Sequence, residues 1–225
     1  MTGTETIVHL LRHGEVYNPD GVLYGRRSGF HLSDRGQAMA ERVAESVGDR
    51  NIVHLVSSPL ERAQETAAPL AKVRGLEVQI DERVIESDND FVGQTFGRGV
   101  LDVLRPSNLR RLYNPWKPSW GEPYKEMVAR MMAAVHDARK AAEGNEAVVV
   151  SHQLPIWITR LAAEHRSFLH DPRKRHCTLC SLTSLHFEDD RLVKVSYSEP
   201  AADLIPVKDK NAPFSAGGAE QEERP

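Results

Sequence analysis

Three short runs limit most strongly what this chain can fold into: "TIVHLL" (6–11), "NIVHLVSS" (51–58) and "EAVVVS" (146–151). Each is apolar at consecutive positions and partly β-branched, the pattern of a buried strand. Between them the period changes to that of a helix. Ser33 or Asp34 can cap a helix running to about Val47, with Ala40, Val43, Ala44 and Val47 on one face. "PLERAQETAAPLAKV" (59–73) reads as a second helix, with Ser58 at the N-cap and Pro59 at the first helical position. A third covers about 124–142, with Val128, Met131, Met132 and Val135 inward, and "QLPIWITRLAAE" opens a fourth. "LEVQI" is a short strand, and "LCSLTSLHF" and "RLVKVSYS" form an edge hairpin around Asp189-Asp190.

Strands alternating with helices predict an α/β fold, a three-layer α/β/α sandwich with a mostly parallel central sheet. The 225 residues fit one such domain over 1–198. Residues 84–123 are irregular and rich in Pro, Trp, Asn and Gly, which predicts an insertion forming a lid over the carboxyl ends of the strands. From residue 199 on, Pro, Ala, Gly and charge predict a disordered tail.

A net charge of −3 argues against a general nucleic-acid or membrane-surface binder. No apolar run approaches the roughly 20 residues that cross a bilayer, and the N-terminus lacks the pattern of a signal peptide. The expectation is a soluble, cytoplasmic protein. Cys177 and Cys180 lie in the strand-like run "CTLCSLTSLHF", where their spacing sends them to opposite faces as two small core thiols. His13-Gly14-Glu15 with this later C-x-x-C lacks the proline and the spacing of a zinc deaminase. His9 and His54 read as satisfied structural histidines, and His31, His165, His170 and His176 have no metal-binding spacing. No metal and no cofactor is expected.

In such sheets the ligand lies beyond the carboxyl ends of the strands. The first strand ends in Arg12-His13-Gly14. The second ends in Ser57-Ser58-Pro59, with Arg62 on the next helix leaning back toward the same crevice. The third ends in Ser151-His152, and Gln153 opens a helix. Two imidazoles and two guanidiniums, with helix N-termini beside them, suit a phosphoryl group. A neutral imidazole among cations is a nucleophile at neutral pH. Two arginines can grip the charge of phosphoryl transfer, Gly14 lets the backbone approach the ligand, and an acid must protonate the departing oxygen.

These segments resemble the histidine phosphatase superfamily, the phosphoglycerate mutase-like family, over about residues 6–198. "LLRHGEVYN" matches its R-H-G signature with the following asparagine, "SSPLERAQETA" its S-S-x-x-x-R-A-x-x-T-A motif, and "VVVSHQLPI" its second-histidine motif. "GEPYKEMVARM" is similar to its G-G-E-S segment. The resemblance implies that His13 is the nucleophile forming a phosphohistidine. Arg12, Arg62 and His152 would neutralise the phosphoryl oxygens, with Asn18 and Gln153 as further phosphate contacts. It also implies that Glu86, in "DERVIESDNDFVG", is the proton donor, although Gln94-Thr95-Phe96 stands where the family has W-E-G. Glu15 is the other candidate.

The other reading of Asn18 is as a residue that shapes the "NPDG" turn. Arg110-Arg111 and "HDPRKRHC" (170–177) read as solvated basic patches or, for Arg110 or Arg111, as a grip on a second acidic group of the substrate. Trp116 and Trp120 either floor a pocket or pin a loop. The expected function is a metal-independent phosphomonoesterase acting on a small phosphorylated metabolite. A phosphoglycerate mutase-type phosphotransferase and a non-catalytic phospho-ligand binding domain are the alternatives. Oligomeric state is open, a homodimer included.

Overall fold

The computed structural model describes residues 3–88, 121–171, 174–205 and 218–219. Its centre is a six-stranded sheet in the order β4-β3-β5-β1-β6-β7. The strands are β1 (Glu5–Arg12), β3 (Ile52–Ser57), β4 (Gln79–Ile80), β5 (Glu146–Ser151), β6 (Leu182–Glu188) and β7 (Arg191–Ser198). β4, β3, β5 and β1 pair in parallel, whereas β6 joins β1, and β7 joins β6, antiparallel. The two-residue β2 (Val16–Tyr17) pairs with β8 (Gly218–Ala219) apart from the main sheet.

The consecutive apolar residues of the strands bury two faces, as their sequences imply. On β5, Val148 and Val150 pack under α1 (Asp34–Val47) and α2 (Glu61–Arg74), while Ala147 and Val149 pack under α3 (Tyr124–Ala141) and α4 (Gln153–Ala163). These are the three layers of the α/β/α sandwich, with a mostly parallel sheet in the middle. Ser33, not Asp34, caps α1, accepting the Gly36 amide at 3.0 Å. Gly75 closes α2 at a φ of 64°, a left-handed conformation that suits glycine.

Four expectations are corrected. α2 starts at Glu61 with Leu60 as N-cap, not at Pro59 behind Ser58, because β3 runs through Ser57 and the Ser58 hydroxyl, which also meets Leu60 N–H at 3.4 Å, is shared with His152 at 2.8 Å. "LEVQI" contributes only Gln79–Ile80 to the sheet. The two cysteines precede β6 and do not lie in it. Cys180 has a φ of 52° in the turn where the chain wraps Arg12 and His13, with Arg12 N–H bonded to Ser181 O and Cys180 N–H to His13 O. Both thiols are free and buried, which pushes Cys177 up to about 11 and Cys180 up to about 12. Order also extends past residue 198. The turn Ala202–Leu204 is helical, and Ala201 and Ile205 are buried against the face covered by α1 and α2. The rest of the expected tail, apart from 218–219, lies outside the described residues, as do most of the expected lid, Arg110, Arg111, Trp116 and Trp120.

Candidate active site

β1, β3 and β5 end side by side, so the residues that follow them meet. His13 N–H bonds to Ser151 O and Ser58 N–H to Val150 O, which stitches the three strand ends together. His13 and His152 face each other with ring centroids 5.1 Å apart. Arg12, His13, Arg62 and His152 are all buried, and Arg62 is the largest side chain with no exposed surface.

The hydrogen bonds assign the imidazole tautomers. His13 Nδ1–H donates to Gly14 O at 2.8 Å, which leaves the lone pair on Nε2. Burial, then Arg62 and Arg12, hold its pKa well below the ordinary 6.5. His152 Nε2 bonds the Ser58 hydroxyl at 2.8 Å, and its Nδ1 has no hydrogen-bond partner among the described residues. Burial and the charges of Arg62, His13 and Arg12 lower its pKa in the same direction. Arg62 donates from Nη2 to Gly25 O at 2.6 Å and stacks over the ring of Tyr24, 4.6 Å from its centroid. Its Nε and Nη1 are buried without a hydrogen-bond partner among the described residues. Such groups are costly to leave unmatched, so an anion is the natural partner. Arg12 Nη1 donates to Cys177 O at 2.7 Å, and Gln153 Nε2 reaches the same carbonyl at 3.4 Å. Gln153 opens α4, so the dipole of that helix adds positive potential.

The two carboxylate candidates separate by their contacts. Glu15 is buried and accepts the Ser33 hydroxyl at 2.7 Å and Arg35 Nη1 at 3.1 Å, which ties it to the start of α1. Glu86 acts electrostatically on Tyr24 and Arg62, as Glu15 does on Tyr24. Its Oε1 accepts Ser87 N–H at 2.8 Å and the Ser87 hydroxyl at 3.3 Å. Its main chain is clamped. Arg26 Nε donates to Glu86 O at 2.7 Å, and Arg130 Nη1 donates to Arg83 O and Ile85 O at 2.6 and 2.8 Å. Glu122, in the "GEPYKEM" segment, holds both arginines through its carboxylate.

Two further residues of the first loop make specific contacts with the chain. Asn18 spends its amide on Val22, donating to its carbonyl at 2.9 Å and accepting its N–H at 3.1 Å, so its contacts shape the turn. Gly14 packs tightly on α1: a Cβ there would stand 2.7 Å from Gly36 O, while Gly14 N–H donates to the Thr66 hydroxyl. Reading the sequence missed Tyr24. An aromatic in a glycine-rich loop carries no signal until Arg62 is seen beneath it.

His9 is satisfied on both nitrogens, by Ser184 at 2.7 Å and Glu146 at 2.9 Å. Among the described residues, no three His, Cys, Asp or Glu side chains are grouped to hold a metal ion.

The chain matches the model of the histidine phosphatase superfamily (branch 1) over residues 8–200, and it belongs to that superfamily. An uncharacterized protein of Mycobacterium tuberculosis is 52% identical over 198 residues, which span 88% of this chain and 98% of that protein. A probable phosphoglycerate mutase of Enterobacter sp. is 29% identical over 161 residues, covering 66% of this chain and 70% of that one. The solved structure of a mycobacterial glucosyl-3-phosphoglycerate phosphatase superposes with a TM-score of 0.67 at 25% identity, covering 87% of this chain and 98% of that chain.

Proposed function

We propose that this protein is a metal-independent phosphomonoesterase that hydrolyses a small phosphorylated metabolite through a phosphohistidine. The observation that carries this is the buried, neutral imidazole of His13, with Nε2 available, next to His152 and an Arg62 whose Nε and Nη1 have no hydrogen-bond partner among the described residues. In the first step His13 Nε2 attacks phosphorus. The N–P bond forms as the P–O bond to the alcohol breaks, and Glu86 gives its proton to the leaving oxygen. Arg12, Arg62 and His152 hold the three phosphoryl oxygens, with Gln153 at the rim. In the second step the Glu86 carboxylate takes a proton from water, which attacks phosphorus. The N–P bond breaks, phosphate leaves, and both groups return to their starting states. Neither step calls for a cofactor.

Glu86 is preferred to Glu15 as donor because no donor among the described residues reaches its Oε2, whereas both oxygens of Glu15 are occupied. The phosphatase named among the solved structures supports hydrolysis, and the probable mutase among the relatives keeps transfer to a bound sugar acid as the second reading. No described helix is long and apolar enough to cross a membrane, in keeping with a cytoplasmic enzyme acting on soluble esters.

The test is turnover of p-nitrophenyl phosphate in EDTA, with trapping of an acid-labile, base-stable phosphoprotein. Full activity in chelator, with both turnover and trapping abolished by His13→Ala, is expected. Phosphate binding without release from any ester would overturn the reading in favour of a binding domain. Interconversion of 3- and 2-phosphoglycerate dependent on a bisphosphate primer would overturn it in favour of a mutase.

A further inference from the structure

Arg175 stands two residues before Cys177, the residue whose carbonyl receives Arg12 and Gln153. Its half-buried guanidinium is fixed at one corner. Nε donates to His170 Nε2 at 2.9 Å, and His170 Nδ1–H donates to Phe168 O at 2.7 Å, which makes Nε2 the acceptor. The imidazole is itself wedged between Trp157 and Tyr124, at centroid distances of 5.9 and 6.4 Å. One edge of the fork is therefore held by a rigid neutral acceptor. Its terminal nitrogens have neither a hydrogen bond nor a carboxylate among the described residues. The carboxylate that acts on it electrostatically is Glu86, whose Oε1 is bonded to Ser87 instead.

We propose that Arg175 is a second anion site that selects phosphate esters whose alcohol carries a carboxylate. This rests on the phosphatase reading above. The position follows from the direction of the reaction. Arg12 and Arg62 address the phosphoryl group, whereas Glu86 marks the side on which the alcohol departs, and Arg175 lies within electrostatic reach of Glu86 and Arg12. A substituent on the alcohol therefore falls toward the Arg175 fork. The charge favours a carboxylate over a second phosphate, because one guanidinium matches a single planar anion by paired hydrogen bonds. A dianion would call for a second cation such as the phosphoryl pocket supplies. The partly buried Tyr124 phenol, its pKa raised chiefly by that burial, stays neutral beside it and can donate as well.

The experiment compares 3-phosphoglycerate with glycerol 3-phosphate, which share a carbon skeleton and differ by a carboxylate against a hydroxymethyl group. The wild-type protein is expected to favour 3-phosphoglycerate about tenfold to a hundredfold in kcat/KM, mainly through KM. Arg175→Met should collapse that ratio toward one, and Arg175→Lys should restore part of it. A merely structural arginine would scale both substrates together. A wild-type ratio near one, or a ratio unmoved by Arg175→Met, overturns the proposal. Calorimetric binding of the same two esters to His13→Ala protein, with and without Arg175→Met, separates this inference from its parent. A carboxylate preference that is seen in binding and lost with Arg175, without turnover of either ester, sinks hydrolysis and upholds the anion site.

Discussion

His9 and His13 leave the same stretch of chain four residues apart, and the sheet gives them opposite surroundings. At His9 every charge has its counterpart. Glu146 accepts His9 Nε2 at 2.9 Å and two nitrogens of Arg50 at 2.5 and 3.0 Å. Burial would raise that carboxyl, but the hydrogen bonds from His9 and Arg50 outweigh it and hold it at about 2. At His13 the neighbours are Arg12, Arg62 and a second imidazole, and no carboxylate bonds to His13 or Arg62 among the described residues. One end of the strand is electrically complete in the folded chain. The other gathers buried positive charge, and that difference separates a satisfied structural histidine from the one proposed as nucleophile.

The sharpest way to break the contrast is Arg62→Met. Removing a cation that grips the phosphoryl group should cost about 10²- to 10³-fold in kcat. The same change removes a buried, partly unmatched charge, so the unliganded protein should become more stable by roughly 1 kcal/mol or more. Steady-state kinetics and urea unfolding check the two halves. A variant that is both less active and less stable would show that Arg62 is primarily structural.

Acid titration comes next. His13 and His152 are held neutral in the fold but have ordinary pKa values in the unfolded chain. Below about pH 6.5 the unfolded state then binds protons that the native state does not, so stability falls as pH falls. The two together contribute a slope of up to about 2.7 kcal/mol per pH unit. His54, His170 and His186 add to it with the same sign, while the exposed His31, raised by Glu65, works in the opposite direction. Denaturant titrations between pH 7 and 5 measure the slope, and His152→Gln should make it shallower. The acid limb of kcat/KM set by His13 should lie below pH 6.5.

The smallest effect belongs to the balanced end. Glu146→Gln should destabilise by about 1–2 kcal/mol, a figure discounted for solvent screening because Arg50 is 41% exposed. It should leave kcat unchanged. A loss of activity there would mean that the two ends of the strand are coupled.

Much of this molecule was legible because strands buried on both faces can be read directly from apolar runs, and such strands put their next residues into the crevice. Arg12, His13, Arg62 and His152 follow from that rule. What it misses is set by contacts between distant segments. Ser58 has the look of a helix cap, but its hydroxyl is taken by His152, ninety-four residues away, and the helix begins later. Glu122 sits in a recognised segment, yet its work, holding Arg26 and Arg130 against the main chain of residues 83–86, depends on a tertiary meeting that no spacing reveals. The cysteine turn was read as strand because β-branched and apolar neighbours continue the pattern through it, while the positive φ of Cys180 is imposed by the chain wrapping Arg12. Arg175 was hidden in a run of basic residues, which composition alone reads as solvated surface.

The crossing of Gly14 and Gly36 has a consequence for the placement of the nucleophile. Each residue's missing side chain is replaced by the other segment's main chain, so a methyl group at Gly36 would overlap the Glu15 carbonyl. The histidine loop thus rests on the first turn of α1 as a gauge rests on a datum plane. The reactive nitrogen inherits the stiffness of an entire helix through two atoms of hydrogen, and even an alanine at either position would lift it out of line.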